Sequence, residues 1–243
     1  MKVTIYKDYE ALSDATAAAM INTIKQKPAA VLCLASGHTP LLTCQLFVKK
    51  VLAEKINLSQ VTILSLDEWV GVRPENKGSC HYFFYNTVFN PLQLSPNQFH
   101  VFNALADNLQ TECAKMDTII ADRSGIDLMI VGIGMNGHIG FNEPGVSFTN
   151  YSHVIDLDET TVAVGQKYFT EATTISEGIT IGLQHLMNAR EVLLIANGSK
   201  KAGVVKRTIE DPVTKNFPAS IMQQHSNGYI LIDEEAASLL NKK

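Results

Sequence analysis

The residues of this chain that are best suited to chemistry lie in one glycine-rich segment, Ile126–Gly145. An apolar run over 128–131 precedes five glycines, two asparagines, a histidine and a glutamate within 132–145. Such a run is typical of a buried parallel strand, and glycines after it let the backbone approach a ligand closely. His138 and Glu143 are the titratable side chains of this turn, and a carboxylate near an imidazole orients it and raises its basicity. The segment therefore predicts acid–base chemistry at the carboxyl end of a strand.

Two adjacent acids, Asp67 and Glu68, follow a second apolar strand, which we predict over 61–66. Neighbouring residues of an extended segment point to opposite sides, so only one of the two carboxylates is expected to face a ligand. The functional interpretation makes that carboxylate a general base, and the alternative is a helix or loop cap with a solvated neighbour. The buried-strand context favours the functional interpretation.

Two further turns carry groups that suit an anion. Ser36–Pro40 follows a strand predicted over 29–35 and opens a helix with Thr39 as cap and Pro40 at its first position. Its hydroxyls and the helix N-terminus could bind phosphate, although the same residues would serve an ordinary capped helix equally well. Gly198–Ala202 follows a strand predicted over 191–196, and a lysine there could reach a phosphate. The alternative is an exposed lysine pair at a helix start.

The segment Gly132–Gly137 also matches the G-x-G-x-x-G fingerprint of dinucleotide-binding proteins. That fingerprint requires a helix directly after it, and 138–145 is too rich in Gly, Asn and Pro to form one. The fingerprint also usually follows the first strand of its unit, whereas this strand is about the fourth. We therefore expect no nicotinamide or flavin cofactor.

The elements that position these turns alternate between strand and helix patterns through most of the 243 residues. This alternation predicts one domain, 1–243, with a mostly parallel, doubly wound sheet. Residues 159–169 are expected to form a helix or a flexible lid, within a mobile lid around 148–175. The remaining predicted strands lie at 3–6, 99–102, 152–157, 178–182 and 229–232, and the remaining predicted helices at 8–27, 80–89, 108–123, 202–209, 218–225 and 234–240.

Composition narrows the class of protein. The net charge of −4 gives no general basic surface, so we do not expect nucleic acid as a partner. The four cysteines are scattered without a C-x-x-C pair, and neither a disulfide framework nor a metal site is predicted. The first residues do not resemble a signal peptide, and no apolar run approaches the length of a membrane span. A cytoplasmic enzyme that does not bind membranes is the simplest expectation.

Three motifs, Ser36–Pro40, Leu66–Gly71 and Gly132–Gly145, resemble the signatures of the glucosamine/galactosamine-6-phosphate deaminase-isomerase family. The resemblance covers nearly the whole chain, and its G-H-x-G-F-N-E-P-G run is highly specific. Stretches such as 28–37 and 188–194 are most similar to the galactosamine-6-phosphate branch.

The resemblance implies a Rossmann-like three-layer α/β sandwich that acts on an amino-sugar phosphate without a metal or other cofactor. The substrate, a 2-amino-2-deoxy-hexose 6-phosphate, would be opened, isomerised and converted to a ketose 6-phosphate and ammonia. Asp67 resembles the base that moves a proton between C2 and C1, His138 the group that assists ring opening at O5, and Glu143 its carboxylate partner. The implied phosphate ligands are Ser36, Gly37, His38 through its backbone, Thr39 and Lys201.

Two positions depart from the family pattern. Many members have Asp where this chain has Asn136, which can hydrogen-bond and orient His138 but adds no charge. Members also often carry an Arg-Phe-Phe whose Arg holds phosphate, and the counterpart here is Lys167-Tyr-Phe169. A lysine binds phosphate as a point charge, without the bidentate fork.

Two other functions fit the same motifs. A 6-phosphogluconolactonase resembles the same fold and has a G-x-G-x-x-G-H turn, although its pattern lacks the Glu of Phe141–Pro144. A non-catalytic sugar-phosphate sensor would be expected to carry a DNA-binding domain, and no helix-turn-helix extension is found in the sequence. The motifs leave open the preference between C4 epimers and the formation of a homo-oligomer.

Overall fold

The computed structural model describes residues 1–241. Within this range the chain forms ten β-strands and seven α-helices. The strands are β1 (Lys2–Tyr6), β2 (Val31–Leu34), β3 (Thr62–Ser65), β4 (Asp67–Trp69), β5 (Phe99–His100), β6 (Leu128–Val131), β7 (His153–Asp156), β8 (Glu177–Thr180), β9 (Val192–Ala196) and β10 (Gly228–Asp233). The helices are α1 (Tyr9–Gln26), α2 (His38–Glu54), α3 (Cys80–Phe84), α4 (Leu109–Asp122), α5 (Glu159–Gly165), α6 (Leu183–Asn188) and α7 (Ala202–Glu210).

Seven of the strands form a parallel central sheet in the order β1-β10-β9-β6-β2-β3-β5. The central strands are short apolar runs that are buried on both faces, as expected when helices cover both sides of a parallel sheet. The chain runs from β2 towards β5 in one direction and from β6 towards β10 in the other. The predicted α/β class with a mostly parallel, doubly wound sheet is confirmed.

The sheet separates two apolar cores. Alternate side chains of each strand enter opposite cores, so that Leu32 of β2 faces one core and Cys33 faces the other. Helices α1 and α2 cover the first face, together with residues 80–89. Helices α4, α6 and α7 cover the second face, with a short 3₁₀ helix at Pro218–Gln224. This is the three-layer sandwich that the family resemblance implied.

A second, antiparallel sheet in the order β4-β8-β7 lies beside the main sheet. The strands β7 and β8 were predicted, but their antiparallel pairing with β4 was not. The chain enters this sheet directly after β3, because Leu66 separates β3 from β4 and its amide still donates to Leu34 of β2. The small sheet therefore holds Asp67 at the edge of the large one.

Two predicted elements and one unpredicted helix separate the prediction from the structure. The predicted helix at 234–240 is wrong, because these residues form successive turns in which the Asp233 carboxylate accepts from the Ala236 amide. The helix α6 was not predicted. The predicted helix at 80–89 is split into α3 and a π-helical turn over Tyr85–Phe89. The helix predicted over 108–123 is present as α4.

Candidate active site

Four turns surround one cavity of about 410 Å³ at the carboxyl edge of the central sheet. They follow β2, β3, β6 and β9, which are neighbours in the sheet, so their carboxyl ends lie side by side. The strands β2 and β6 mark the point where the winding of the chain reverses, and ligands of open α/β sheets bind there. Eight of the ten predicted site residues line the cavity: Ser36, Gly37, His38, Thr39, Asp67, His138, Lys167 and Lys201. The other two, Asn136 and Glu143, lie behind His138.

Asp67 faces this cavity, whereas Glu68 points away from it. Glu68 accepts hydrogen bonds from the backbone amides of Trp69, Cys80 and His81, and it serves as a structural anchor. The expected division of the two adjacent acids between opposite sides of an extended segment therefore holds. Both are buried, with 8% of Asp67 and 3% of Glu68 exposed.

Burial raises the pKa of Asp67 to about 6, and a hydrogen bond from Cys80 and the charge of His138 oppose that rise. Burial likewise raises the pKa of Glu68 to about 7, against three backbone hydrogen bonds that favour its ionised form. A carboxylate with a pKa close to neutral is a stronger base than an exposed one, and it is still ionised at pH 7. Asp67 is therefore suited to remove a proton from a carbon acid.

The turn after β6 places His138 against a glycine. The Gly134 amide donates to the carbonyl of His138 at 2.9 Å, and the imidazole lies directly over Gly134, where a Cβ would collide with the ring. Gly137 has a φ of +89°, which disfavours any side chain, and Phe217 occupies the space beside it. These two glycines thus shape the turn around the histidine side chain.

A hydrogen-bonded group lies behind the imidazole. Nδ1 of His138 is 2.9 Å from the hydroxyl oxygen of Thr161 and 3.4 Å from Oε2 of Glu143. Asn136 donates to the same Oε2 at 2.8 Å. Burial favours the neutral acid, but hydrogen bonds from His138, Thr161 and Asn136 outweigh it and hold the pKa of Glu143 below its usual value. The group therefore keeps a negative charge behind Nδ1 and leaves Nε2 for a ligand.

Asn136 acts in this structure differently from the expectation. Its carbonyl oxygen accepts from the backbone amide of His138 at 3.2 Å, and its amide binds Glu143. It therefore contacts the backbone of the histidine and the carboxylate partner, and the ring contact comes from Thr161. Sequence reasoning missed Thr161, which lies 23 residues away on α5 and has no local motif.

The turn after β2 forms another part of the cavity wall. Helix α2 begins at His38, two residues before the predicted first position at Pro40, and Gly37 precedes it with a φ of +101°. The prediction of Thr39 as the helix cap is wrong, because α2 has no side-chain cap and the Thr39 hydroxyl donates to Oδ1 of Asn197 at 2.9 Å. The first amides of α2 therefore have no competing side-chain acceptor and are available for an anion.

Lysines give this wall a positive charge. Nζ of Lys201 donates to the carbonyl of Ile133 at 2.5 Å, which places the ammonium group between the turns after β6 and β9. Burial and the charge of Lys167 lower the pKa of Lys201 to about 8, while burial and Lys200 lower the pKa of Lys167. Because buried like charges repel, an anion bound between them would be stabilised by both.

Aromatic residues that were not singled out from the sequence complete the cavity. Tyr168 lies over the turn after β2, with its ring centroid 5.2 Å from that of His38. Its hydroxyl lies so close to Gly37 that a Cβ there would come within 2.9 Å of it, and burial raises its pKa to about 12. Trp69 and Phe141 pack together at 4.5 Å between ring centroids and form the apolar floor.

Residues 1–241 contain no group of three or more His, Cys, Asp or Glu side chains with the arrangement of a metal site. None of the helices described is long and apolar enough to span a membrane.

Comparison with known proteins places this site in a family. The family model of glucosamine-6-phosphate isomerases/6-phosphogluconolactonase matches residues 7–231. A glucosamine-6-phosphate deaminase of Thermoanaerobacter sp. (strain X514) is 39% identical over 241 residues, which are 99% of this chain and 95% of the relative. A glucosamine-6-phosphate deaminase of Clostridium botulinum (strain Hall) is 35% identical over 244 residues and the full length of both chains. The chain belongs to the glucosamine-6-phosphate isomerase/6-phosphogluconolactonase family.

Solved structures agree with this assignment. A monomeric glucosamine-6-phosphate deaminase, described as a missing link of the NagB superfamily, superposes with a TM-score of 0.95 at 35% identity and covers 98% of this chain and 100% of its own. The 6-phosphogluconolactonase of Trypanosoma brucei superposes with a TM-score of 0.79 at 18% identity, with 99% and 98% covered. The second likeness shows a shared fold. The predicted family is confirmed, and these relatives do not distinguish the galactosamine branch.

Proposed function

We propose that this protein converts a 2-amino-2-deoxy-hexose 6-phosphate and water to the ketose 6-phosphate and ammonia. The observation that carries the proposal is that Asp67 and His138 line the same cavity as the turn after β2 and the two lysines, Lys167 and Lys201. The cavity thus offers a base, a second proton-transfer group and an anion site to one ligand. The deaminases that are 35–39% identical over the full length support the same reaction.

The phosphate is proposed to bind between Ser36, Gly37, His38 and Thr39 on one side and Lys167 and Lys201 on the other. The six residues line one wall, and the amides at the start of α2 and the two ammonium groups complement its charge. Because the phosphate lies away from the reacting carbons, its binding energy serves to fix the pose of the sugar.

His138 is proposed to assist ring opening. Breaking the bond between C1 and the ring oxygen O5 requires a proton at O5 and the loss of the proton from the C1 hydroxyl. The imidazole can move this proton through Nε2, because Nδ1 is held by Thr161 and the carboxylate of Glu143. Asn136 keeps that carboxylate in place.

Asp67 is proposed to carry the proton between C2 and C1 of the open sugar. Removal of the C2 proton gives an enolamine, and return of the proton to C1 leaves an iminium ion at C2. Water then adds to C2 and ammonia leaves, which gives the ketose. The two carbons exchange oxidation states within the substrate, so the chemistry requires no external oxidant. General-base catalysis of this kind contributes roughly 10²–10⁴-fold.

The residues of α5 and the segment after it are proposed to form a lid over the cavity, in a chain that acts as a single domain. Thr161 and Gly165 of α5, together with Lys167 and Tyr168, line the cavity. Exclusion of water by such a segment would protect the reactive enolamine.

A coupled assay for ammonia tests the proposed reaction. Glucosamine 6-phosphate and galactosamine 6-phosphate are compared at equal concentration, and we expect release of ammonia together with ketose 6-phosphate from at least one of them. The comparison also measures the preference between C4 epimers. Turnover of 6-phosphogluconolactone without release of ammonia from either amino sugar would replace the proposal with the lactonase reaction. Binding of the amino sugars without any turnover would replace it with a sensor.

A further inference from the structure

The thiol of Cys80 lies between two residues of the candidate site. The Ser36 hydroxyl is 3.0 Å from Sγ of Cys80, and Sγ is 3.4 Å from Oδ1 of Asp67. A carboxylate only accepts hydrogen bonds, so the single thiol proton is directed to Asp67 and the Ser36 hydroxyl donates to the sulfur. The three side chains form a continuous chain of hydrogen bonds from the anion-binding turn to the carboxylate.

The position of this thiol is fixed by a second carboxylate. Cys80 is the first residue of α3, and its amide donates to Oε1 of Glu68 at 3.0 Å. The amide of His81 donates to Oε2 of Glu68 at 2.7 Å, and Ser79 caps the same short helix. Because Glu68 directly follows Asp67 in the chain, one strand holds both the carboxylate and the helix that carries its thiol partner.

We infer that Cys80 is a positioning residue that holds Oδ1 of Asp67 through its thiol proton and thereby turns Oδ2 towards the substrate. Within residues 1–241, the only side-chain donor to the Asp67 carboxylate is this thiol. The inference rests on the proposed role of Asp67 as the base. It assigns to a buried thiol a part in the reaction that neither the sequence motifs nor the relatives' names indicate.

The other groups around Asp67 act through charge or burial. Burial raises the pKa of Asp67, and the charge of His138 from the turn after β6 opposes that rise. Burial is also the main cause of the raised pKa values of Cys33 on β2 and of Tyr168, and the charge of Asp67 adds to both. Burial raises the pKa of Glu68, and the charge of Asp67 adds to that rise. Removal of the Cys80 thiol, by contrast, removes its two hydrogen bonds, one from Ser36 and one to Asp67, and leaves every formal charge at neutral pH as it was.

The test is a titration of the Asp67 carboxyl by ¹³C NMR in the wild type, in Cys80→Ala and in Cys80→Ser. The signal is assigned by its absence in Asp67→Asn. Loss of the donor in Cys80→Ala is expected to raise the pKa of the carboxyl by about half a unit to one unit. The serine hydroxyl, a stronger donor, is expected to keep the pKa at or below the wild-type value. As a control, Cys44→Ala removes a buried thiol from a different helix, α2, and should leave the titration of the Asp67 carboxyl unchanged.

The kinetic counterpart is the pH profile of kcat/KM. In Cys80→Ala the acidic limb should shift to higher pH by the same half unit to one unit. At pH values below its midpoint kcat/KM should therefore fall about 3- to 10-fold, and it should recover at higher pH. Cys80→Ser should follow the wild type. The sugar phosphate also ionises near pH 6, and because it is the same in every variant, the difference between variants reports the enzyme.

Three results would overturn the inference. One is an unchanged carboxyl titration in Cys80→Ala, and another is a Cys80→Ser protein that titrates like Cys80→Ala. The third is an equal loss of activity at every pH, which indicates a packing role. The titration needs no turnover, so it tests the role of the thiol even if neither amino sugar is a substrate. Absence of turnover on both amino sugars would contradict only the proposed function.

Discussion

At the scale of single residues, Asp67 combines two properties that oppose one another. Burial makes its ionised form costly, and this cost raises its pKa to about 6. The same burial makes the carboxylate a stronger base at neutral pH. A buried carboxylate such as that of Asp67 is therefore expected to lower the stability of the fold while it increases reactivity.

Replacement of Asp67 by Asn is therefore predicted to have two opposite effects. Turnover should fall by roughly 10²–10⁴-fold, because the base is lost while the phosphate wall is intact. The free energy of unfolding at pH 8 should rise by roughly 1–3 kcal/mol, because the folded state no longer holds a buried charge. Ammonia release and urea unfolding measure the two effects.

The gain in stability should depend on pH. In the wild type the folded pKa of Asp67 lies above the unfolded value of 3.8, so this group destabilises the fold increasingly as pH rises from about 4 to about 6. The difference in the free energy of unfolding between the wild type and Asp67→Asn should accordingly reach its maximum above pH 6 and vanish near pH 3. A stability difference that persists unchanged at pH 3 would contradict the linkage, and a fully active Asp67→Asn enzyme would remove Asp67 as the base.

Lys201 is predicted to bind substrate as a cation. Its pKa of about 8 places its loss of charge just above neutral pH, so kcat/KM should rise with pH through about 6 as Asp67 ionises and fall through about 8 as Lys201 loses its proton. Lys201→Gln should raise KM roughly 10- to 100-fold, the value of a charge-assisted hydrogen bond, with a smaller change in kcat.

A matched control for this substitution is Lys206→Gln on the outer part of α7, where the ammonium pairs with Glu210 and the carbonyl of Leu239. It should leave KM and the basic limb of the profile unchanged. If Lys201→Gln kept the wild-type KM and basic limb, the phosphate would have to bind elsewhere in the cavity.

At the scale of elements, helix α5 both lines the cavity and contacts the imidazole of His138. Asp158 caps this helix, and Thr161 in its first turn is 4% exposed and lies 2.9 Å from Nδ1 of His138. The position of the helix and the orientation of the ring are therefore coupled. Any movement of α5 away from the cavity would break the contact and free the imidazole to turn.

Thr161→Val is predicted to test this coupling, since it keeps the shape of the side chain and removes the hydroxyl. Loss of one buried hydrogen bond to His138 should lower kcat roughly 5- to 10-fold with little change in KM. Thr161→Ser restores the hydroxyl and should recover most of the activity. A valine variant with unchanged kcat would mean that Glu143 alone orients the ring.

At the scale of the whole molecule, the cavity depends on two cores that keep the sheet in place. Phe47 of α2 is fully buried in the core on one face, and the turn before α2 lines the cavity. Leu52 of the same helix is 58% exposed. Substitution of the buried Phe47 and of the exposed Leu52 therefore distinguishes a loss of core packing from a change to the helix itself.

Phe47→Ala is predicted to lower the free energy of unfolding by about 3–5 kcal/mol, because a buried aromatic ring is removed and the space cannot fully close. Leu52→Ala should change it by less than about 0.5 kcal/mol. Urea unfolding measures both values. Equal effects of the two substitutions would contradict the assignment of Phe47 to the core.

Most of the site could be predicted because it depends on strand ends. The apolar runs before Ser36, Asp67, Gly132 and Gly198 are short and buried, and parallel strands bring their carboxyl ends to one edge. The alternation of side chains along an extended segment also predicted that Asp67 and Glu68 would separate. These rules need only the sequence nearby and the parallel direction of the strands.

Other features could not be predicted by such rules. Thr39 does not cap α2, because its hydroxyl donates to Asn197, which is 158 positions away. The residues 234–240 have a helical spacing of apolar side chains, yet contacts of Asp233 with Gly198 and Ala236 turn the chain instead. In both cases a distant partner outweighs the local preference.

The sequence by itself determined the α/β class, the family, and the turns and titratable side chains that line the cavity, because strand patterns and turn chemistry are local properties. Tertiary structure alone decided that Thr161 orients His138, that Asn136 binds Glu143, and that the Cys80 thiol contacts Asp67. Those contacts depend on how closely separate elements approach and on the rotamers that packing permits. A hydrogen bond requires placement to within a few tenths of an ångström, and only the packed chain supplies it.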